Sequence, residues 1–177
     1  MTGAKVAVLM GSDSDLPVME KAIEAIKELE IPFEVKVISA HRLPEKVSQY
    51  ASEARGRGLE VIIAGAGMAA HLAGAVAAHT TLPVIGVPLK SGALSGVDAL
   101  YATAQMPPGV PVATMAVDGA RNAAILAGQI LSLKYPEIAE KLERMREKMK
   151  QEVMRKSEEI EKKFSSHSSS SKESNVG

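Results

Sequence analysis

The sequence predicts an α/β protein: a doubly wound parallel sheet of five strands in the order 2-1-3-4-5, followed by a long C-terminal helix. Three observations predict it. Apolar runs of strand length recur at regular intervals, each is followed by a small-residue turn, and a helical pattern comes next. Strands alternating with helices mean βαβ units, with right-handed crossovers and parallel strands.

The elements follow in order. Lys5–Met10 (KVAVLM) is a continuous apolar run, as expected for a strand buried on both faces. After GSDSD, residues 16–29 place Val18, Met19, Ile23, Ile26 and Leu29 at helical spacing. Phe33–Ser39 alternates and reads as a second strand with one face less buried. Pro44 is well placed in the first turn of a helix that runs to the stop at Gly56–Gly58. Val61–Ala64 is the third strand, and an Ala-rich helix reaches to about His79. Pro83–Pro88 is the fourth strand, Val110–Val117 the fifth, and a final long helix starts near Gly119. Five strands in this pattern suggest the flavodoxin-like arrangement, in which ligands bind outside the carboxyl ends of the strands.

The 177 residues divide into an α/β domain at 1–135, a charged C-terminal helix at 136–164 and a Ser-rich tail at 165–177. On the helix, Ile138, Leu142, Met145, Met149 and Val153 form a narrow apolar stripe. Such a stripe suits packing against a helix of a second subunit or against its own domain. The tail has too little apolar surface to offset its ordering entropy, so disorder is expected there and His167 is set aside.

Composition excludes several functions. Lys plus Arg and Asp plus Glu number 21 each, so no bulk charge draws the chain to nucleic acid or an anionic membrane. Three Tyr, two Phe and no Trp leave few platforms for stacking bases. Absence of Cys removes disulfides, thiolate metal sites and a Cys nucleophile, and is compatible with the expected cytoplasmic location. The N-terminus lacks the long apolar stretch and cleavage site of a secretory signal. Val61–Ala78 has nearly the length of a membrane span, but its glycines and central His71 favour strand, turn and buried helix.

The strand-end loops hold the candidate chemistry. In Gly11-Ser12-Asp13-Ser14-Asp15, Gly allows close backbone approach, the hydroxyls donate, and a helix N-terminus offers N–H groups to an anion. Ser and Asp are also ordinary helix caps, so one Asp is expected to cap and the other to accept from ribose-type hydroxyls. In Ser39-Ala40-His41-Arg42, a guanidinium can grip a phosphate while the neighbouring imidazole serves as acid and base in one cycle. Gly65-Ala66-Gly67-Met68-Ala69-Ala70-His71 lets backbone approach a flat ligand, and its imidazole must find a partner. Lys90-Ser91-Gly92 and Gln105–Gly109 offer backbone donors and few ionisable groups. Histidines and carboxylates do not cluster at ligand spacing, so no metal is expected.

MGSDSD after the first strand, SAHR after the second, AGAGMAAHLAG after the third, PVIGVPLKSGALSGVDALY across the fourth and QMPPGVPVAT into the fifth occur in one order. Together they closely resemble the N5-carboxyaminoimidazole ribonucleotide mutases of purine biosynthesis, the bacterial-type class of the AIR carboxylase family. The resemblance covers about Val6 to Ile138. It implies a cofactor-free isomerase that moves a carboxyl group from the exocyclic nitrogen of an aminoimidazole ribonucleotide to ring carbon C4. It further implies that Ser12, Ser39 and Arg42 hold the 5′-phosphate and Asp15 the ribose hydroxyls, with Gly11, Ser14 and Ala40 lining the same loops. His41 would be the general acid/base, while His71 and the backbone of Gly65, Ala66, Gly67 and Met68 keep the CO2 unit and ring in place. A homo-octamer with sites shared between subunits, and functional coupling to the ATP-dependent carboxyaminoimidazole ribonucleotide synthetase, are implied as well.

The chain departs from the usual bacterial pattern at Met68, where a third Gly is common, at Ala73, where Pro is common, and at Pro108. The related animal-type class, which carboxylates the aminoimidazole directly with CO2, reads SAHK and lacks the turn histidine; Arg42 and His71 argue against it. A non-catalytic nucleotide- or flavin-binding module on the same fold is the other alternative, disfavoured by the scarcity of aromatics around the loops.

Overall fold

The structure is a computed structural model and describes residues 3–165. Five parallel strands form one sheet in the order β2-β1-β3-β4-β5. They are β1 (Val6–Met10), β2 (Phe33–Val37), β3 (Val61–Gly67), β4 (Val84–Leu89) and β5 (Ala113–Thr114). The helices are α1 (Leu16–Glu28), α2 (Pro44–Ala54), α3 (Leu72–Ala77), α4 (Val97–Ala104), α5 (Ala120–Ser132) and α6 (Pro136–Ser165). The expected strand order is the observed one.

The central strands are buried because their side chains are apolar on both faces: every residue of β1 and β4 is buried. Ala7, Leu9, Ile62 and Ala64 face Val47, Ala51, Leu72 and Val76 of α2 and α3 in one core layer. Alternation along the strands sends Val8 and Ile63 to the opposite face, the side on which α1 packs against α5. Each fully buried Leu, Ile or Val contributes about 1.5–3 kcal/mol, so this two-sided core fixes the register. β2 lies at the edge of the sheet and differs from the expectation of a single less-buried face: none of its residues is buried, and the apolar Val35 and Val37 are exposed.

Several boundaries differ from the sequence reading. β3 continues three residues beyond Ala64, to Gly67, and the Ala-rich helix is confined to Leu72–Ala77. β5 is reduced to Ala113–Thr114; Pro111, with no N–H to donate to the ladder, limits where it can start. The helix that starts near Gly119 ends at Ser132, and the separate C-terminal helix expected from 136 is α6, since Pro136 disfavours helical backbone at Tyr135 and opens α6 at its own first turn. α4 is an element the sequence reading does not name; its buried face is only Ala99 and Thr103, too small to produce a clear apolar period. Val61–Ala78 is strand, turn and helix, and among the described residues no helix is long and apolar enough to cross a membrane.

The chain divides into two compact units between Ala139 and Glu140, inside α6 rather than at residue 135. In the second unit the helix continues to Ser165, one residue past the expected end, laced by i,i+3 and i,i+4 ion pairs such as Arg144–Glu140 and Arg155–Glu159. Met149, Val153, Ile160 and Phe164 are exposed along it. The tail from 166 to 177, with His167, lies outside the described residues.

Candidate active site

Strand register decides which loops meet. Met10 pairs with Val37 on one side and Gly65 on the other, and Gly67 pairs with Leu89. The chain segments that leave β1, β2, β3 and β4 therefore emerge at one edge of the sheet. They enclose an open cleft of about 470 Å³. Gly11, Ser12, Ser14 and Asp15 line it from the first loop, Ser39, Ala40, His41 and Arg42 from the second, and Ala66, Gly67, Met68 and His71 from the third. All of these are among the residues expected from the sequence.

Gly65 is the exception, because it does not line the cleft. A side chain there would drive its Cβ to 2.3 Å from the Met19 sulfur, so this glycine makes room for α1 beneath the sheet. Ala69, Leu72 and Ser91 also line the cleft. In the sequence Ser91 belongs to a loop of backbone donors, and no role is expected for its side chain. The available signal is its place two residues beyond the last residue of β4.

The first loop is a capped 3-10 turn over Asp13–Asp15. Ser12 is its N-cap: its hydroxyl oxygen accepts from the Ser14 N–H at 3.4 Å, and the Ser12 N–H donates to the Asp15 carboxylate at 2.9 Å. Asp15 is therefore the capping carboxylate of a capping box. Burial pushes its carboxyl above the ordinary carboxylate value, although backbone N–H groups of Ser12 and Gly11 partly offset this. The Ser14 hydroxyl lies 3.0 Å from that of Ser12, so two hydroxyls sit together at the mouth of the turn.

The second loop holds its cation loosely. The Ser39 hydroxyl oxygen accepts from the Arg42 backbone N–H at 3.3 Å and from Nε at 3.4 Å. Arg42 forms no ion pair with a carboxylate among the described residues, and its side chain is exposed. A guanidinium with this freedom is available to an incoming anion. His41 Nε2 lies 2.8 Å from His71 Nδ1, with ring centroids 5.0 Å apart and planes at 77°. One of these nitrogens donates and the other accepts, so the contact carries a single proton between two rings. His71 reaches this point from the residue preceding α3, which answers the question of its partner. Such a pair can present a proton to a ligand and take one back.

The departures noted in the sequence lie differently. Met68 has a φ of +52°, the left-handed conformation that glycine adopts freely, and its side chain is 59% exposed at the cleft. Ala73 is in the first turn of α3, buried away from the cleft, at a position where proline is tolerated. Pro108 is exposed in the turn before Val110 and does not line the cleft.

The family model for AIR carboxylase matches residues 5–152. The N5-carboxyaminoimidazole ribonucleotide mutase of Pyrococcus abyssi is 62% identical over 146 residues, covering 82% of this chain and 84% of that protein. That of Thermotoga maritima is 55% identical over 157 residues, covering 89% and 92% respectively. Among solved structures, a Treponema denticola PurE2 variant superposes with a TM-score of 0.82 at 28% identity, covering 90% of this chain and 99% of that one.

Proposed function

The chain belongs to the AIR carboxylase family, and from that premise we propose that it isomerises N5-carboxyaminoimidazole ribonucleotide to 4-carboxy-5-aminoimidazole ribonucleotide in purine biosynthesis. The observation that carries this reading is the His41–His71 contact at 2.8 Å, in one cleft with Ser12, Ser39 and Arg42. It combines an anion grip with a proton carrier, the two things the reaction requires.

The mechanism follows from those groups. Arg42, Ser39 and Ser12 bind the 5′-phosphate, and Ser14 and Asp15 meet the ribose hydroxyls. The bond between exocyclic nitrogen and carboxyl carbon breaks, its electron pair stays on nitrogen, and His41 supplies the proton there. The CO2 formed stays beside the turn at Gly67 and Met68. Ring carbon C4 then attacks it, a carbon–carbon bond forms, and the C4 proton passes to His41. The histidine ends as it began, so one fixed imidazole serves both half-reactions. His71 orients the His41 ring through their shared proton. No step draws on a cofactor.

In this reading the chain works in the cytoplasm as a homo-oligomer, an octamer by resemblance, on substrate delivered by the ATP-dependent synthetase. The exposed residues of α6 support a partner helix. The deciding experiment follows carboxyl migration with purified protein, offering either the carbamate substrate or aminoimidazole ribonucleotide plus bicarbonate. Faster product formation from the carbamate is expected. Product from bicarbonate alone would make the chain a direct carboxylase, and tight binding without turnover would make it a binding module.

A further inference from the structure

The Ser91 hydroxyl is the one polar atom of the described cleft wall that is both buried and without a hydrogen-bond partner. A buried hydroxyl left unpaired costs free energy, and folded proteins rarely keep one without use. Its surroundings are specific. A Cβ added at Gly67 would lie 2.5 Å from Ser91 Oγ, so the glycine holds open the space the hydroxyl occupies. Gly92, next in the chain, would bring an added Cβ to 3.8 Å from the Met68 side chain, which places Ser91 under the Met68 turn.

Position within the sheet identifies what the hydroxyl meets. Arg42 and Ser39 follow β2, whereas Ser91 follows β4, three strand intervals away in the order β2-β1-β3-β4. At the ordinary spacing of adjacent strands this is roughly 14 Å across the cleft. A nucleotide whose phosphate sits on Arg42 therefore extends its heterocycle towards Ser91, past His41 and His71. The cleft wall at that end, Ala66 to Leu72 with Ser91, carries no Lys or Arg. A neutral donor suits a group that alternates between anionic carboxylate and uncharged CO2; a fixed cation would favour the anion and hold it back.

We propose that Ser91 positions the migrating carboxyl group, donating its hydroxyl hydrogen to a carboxyl oxygen and retaining CO2 between the two half-reactions. The proposal rests on the isomerase reading above and adds a residue to it. Ser91 exchanges no proton with the substrate: the proton that reaches nitrogen and the one that leaves C4 both pass through His41. Ser91 Oγ has no hydrogen bond to a described residue, so none has to be broken for the side chain to turn about its Cα–Cβ bond towards a bound carboxyl group.

Ser91→Ala tests this in two ways. During turnover of the carbamate, the fraction of reactions that end as free aminoimidazole ribonucleotide and CO2 should rise several-fold. In direct binding, affinity for 4-carboxy-5-aminoimidazole ribonucleotide should fall about tenfold while that for 5-aminoimidazole ribonucleotide stays within twofold. The melting temperature should hold or rise, because the variant removes an unpaired buried oxygen. Ser91→Cys, a weaker donor of similar size, should give an intermediate release fraction. Unchanged release and equal affinities would overturn the role of Ser91 while leaving the isomerase reading intact. A lower melting temperature with equal loss of both ligands would overturn it too, by marking the residue as structural. Should the wild-type protein move no carboxyl group, the isomerase reading fails, and the two affinities still decide whether Ser91 recognises a carboxylate.

Discussion

The two edges of the sheet treat similar side chains in opposite ways. At the edge where the strands begin, charges are closed into networks. Glu60 accepts from Lys134 at 3.1 Å and from the Tyr135 hydroxyl at 2.5 Å, and pairs with Lys5 at 3.3 Å. Glu34 accepts from the Tyr50 hydroxyl and pairs with Arg57 at 2.9 Å, whose guanidinium also stacks on the Tyr50 ring. At the edge where the strands end, Arg42 is tied among the described residues only to a serine, and two imidazoles face each other in an open cleft. Polar groups that satisfy one another stabilise the fold; those left without protein partners are available to a ligand. The comparison assigns stability to one edge and chemistry to the other.

The largest effect should come from the open edge. His41→Asn removes the proton carrier and should lower the rate of carboxyl migration by at least about 10²–10⁴-fold, the usual worth of general acid–base catalysis. Binding of the product nucleotide and the melting temperature should barely change, because the ring is exposed and its hydrogen-bond partner is another surface imidazole. Calorimetric titration beside the rate assay checks both. Near-normal turnover would remove His41 from the mechanism.

Arg42→Ala comes next. Binding of the nucleotide monophosphate should weaken by roughly 2–5 kcal/mol if the ligand desolvates the charge pair. The matching nucleoside, which lacks the phosphate, should bind wild type and variant alike. Equal losses for both ligands would place the phosphate elsewhere. Stability should again be untouched, since no ion pair is broken among the described residues.

This contrast also explains what the sequence could and could not reveal. Order and type of the strands were legible because β1, β3 and β4 are apolar on both faces, a pattern set by burial alone. The loops Gly11–Asp15 and Ser39–Arg42 were legible because strand ends collect ligand groups in doubly wound sheets. Distances across the sheet were not. Nothing local to His41 shows that Nδ1 of a residue 30 positions away lies 2.8 Å from its ring. Gly65 and Gly67 look alike in sequence, yet one opens space for Met19 below the sheet and the other for Ser91 at the cleft. Nor do the sequence spacings reveal the closed edge: Lys5, Glu60 and Tyr135 are brought together only by the fold.

At that closed edge the expected effects are on stability. Glu60→Gln leaves Lys5 and Lys134 without their counter-charge and weakens the bond from Tyr135, and should cost about 1–2 kcal/mol. Thermal denaturation would register this as a lower melting temperature. Turnover per folded molecule should equal that of wild type. A variant with normal stability and impaired turnover would reverse the assignment of the two edges.

The smallest effect is the sharpest test, because the two edges differ in sign. Burial pushes the Glu60 carboxyl up, but hydrogen bonds from Tyr135, Lys134 and Lys5 outweigh it and hold it below the ordinary 4.5. A depressed carboxylate stabilises the fold fully above pH 4.5 and loses that contribution as pH falls through its folded value. The melting-temperature gap between wild type and Glu60→Gln should therefore narrow on acidification below 4.5. Asp15 is shifted the other way: burial raises it above its ordinary 3.8, so its ionised form opposes folding above the raised value. As pH falls through that value towards 3.8 the penalty is relieved, and wild type should gain on Asp15→Asn. Melting curves of the three proteins across this acid range should give slopes of opposite sign, and slopes of one sign would mean that the cleft carboxylate is held like those of the closed edge.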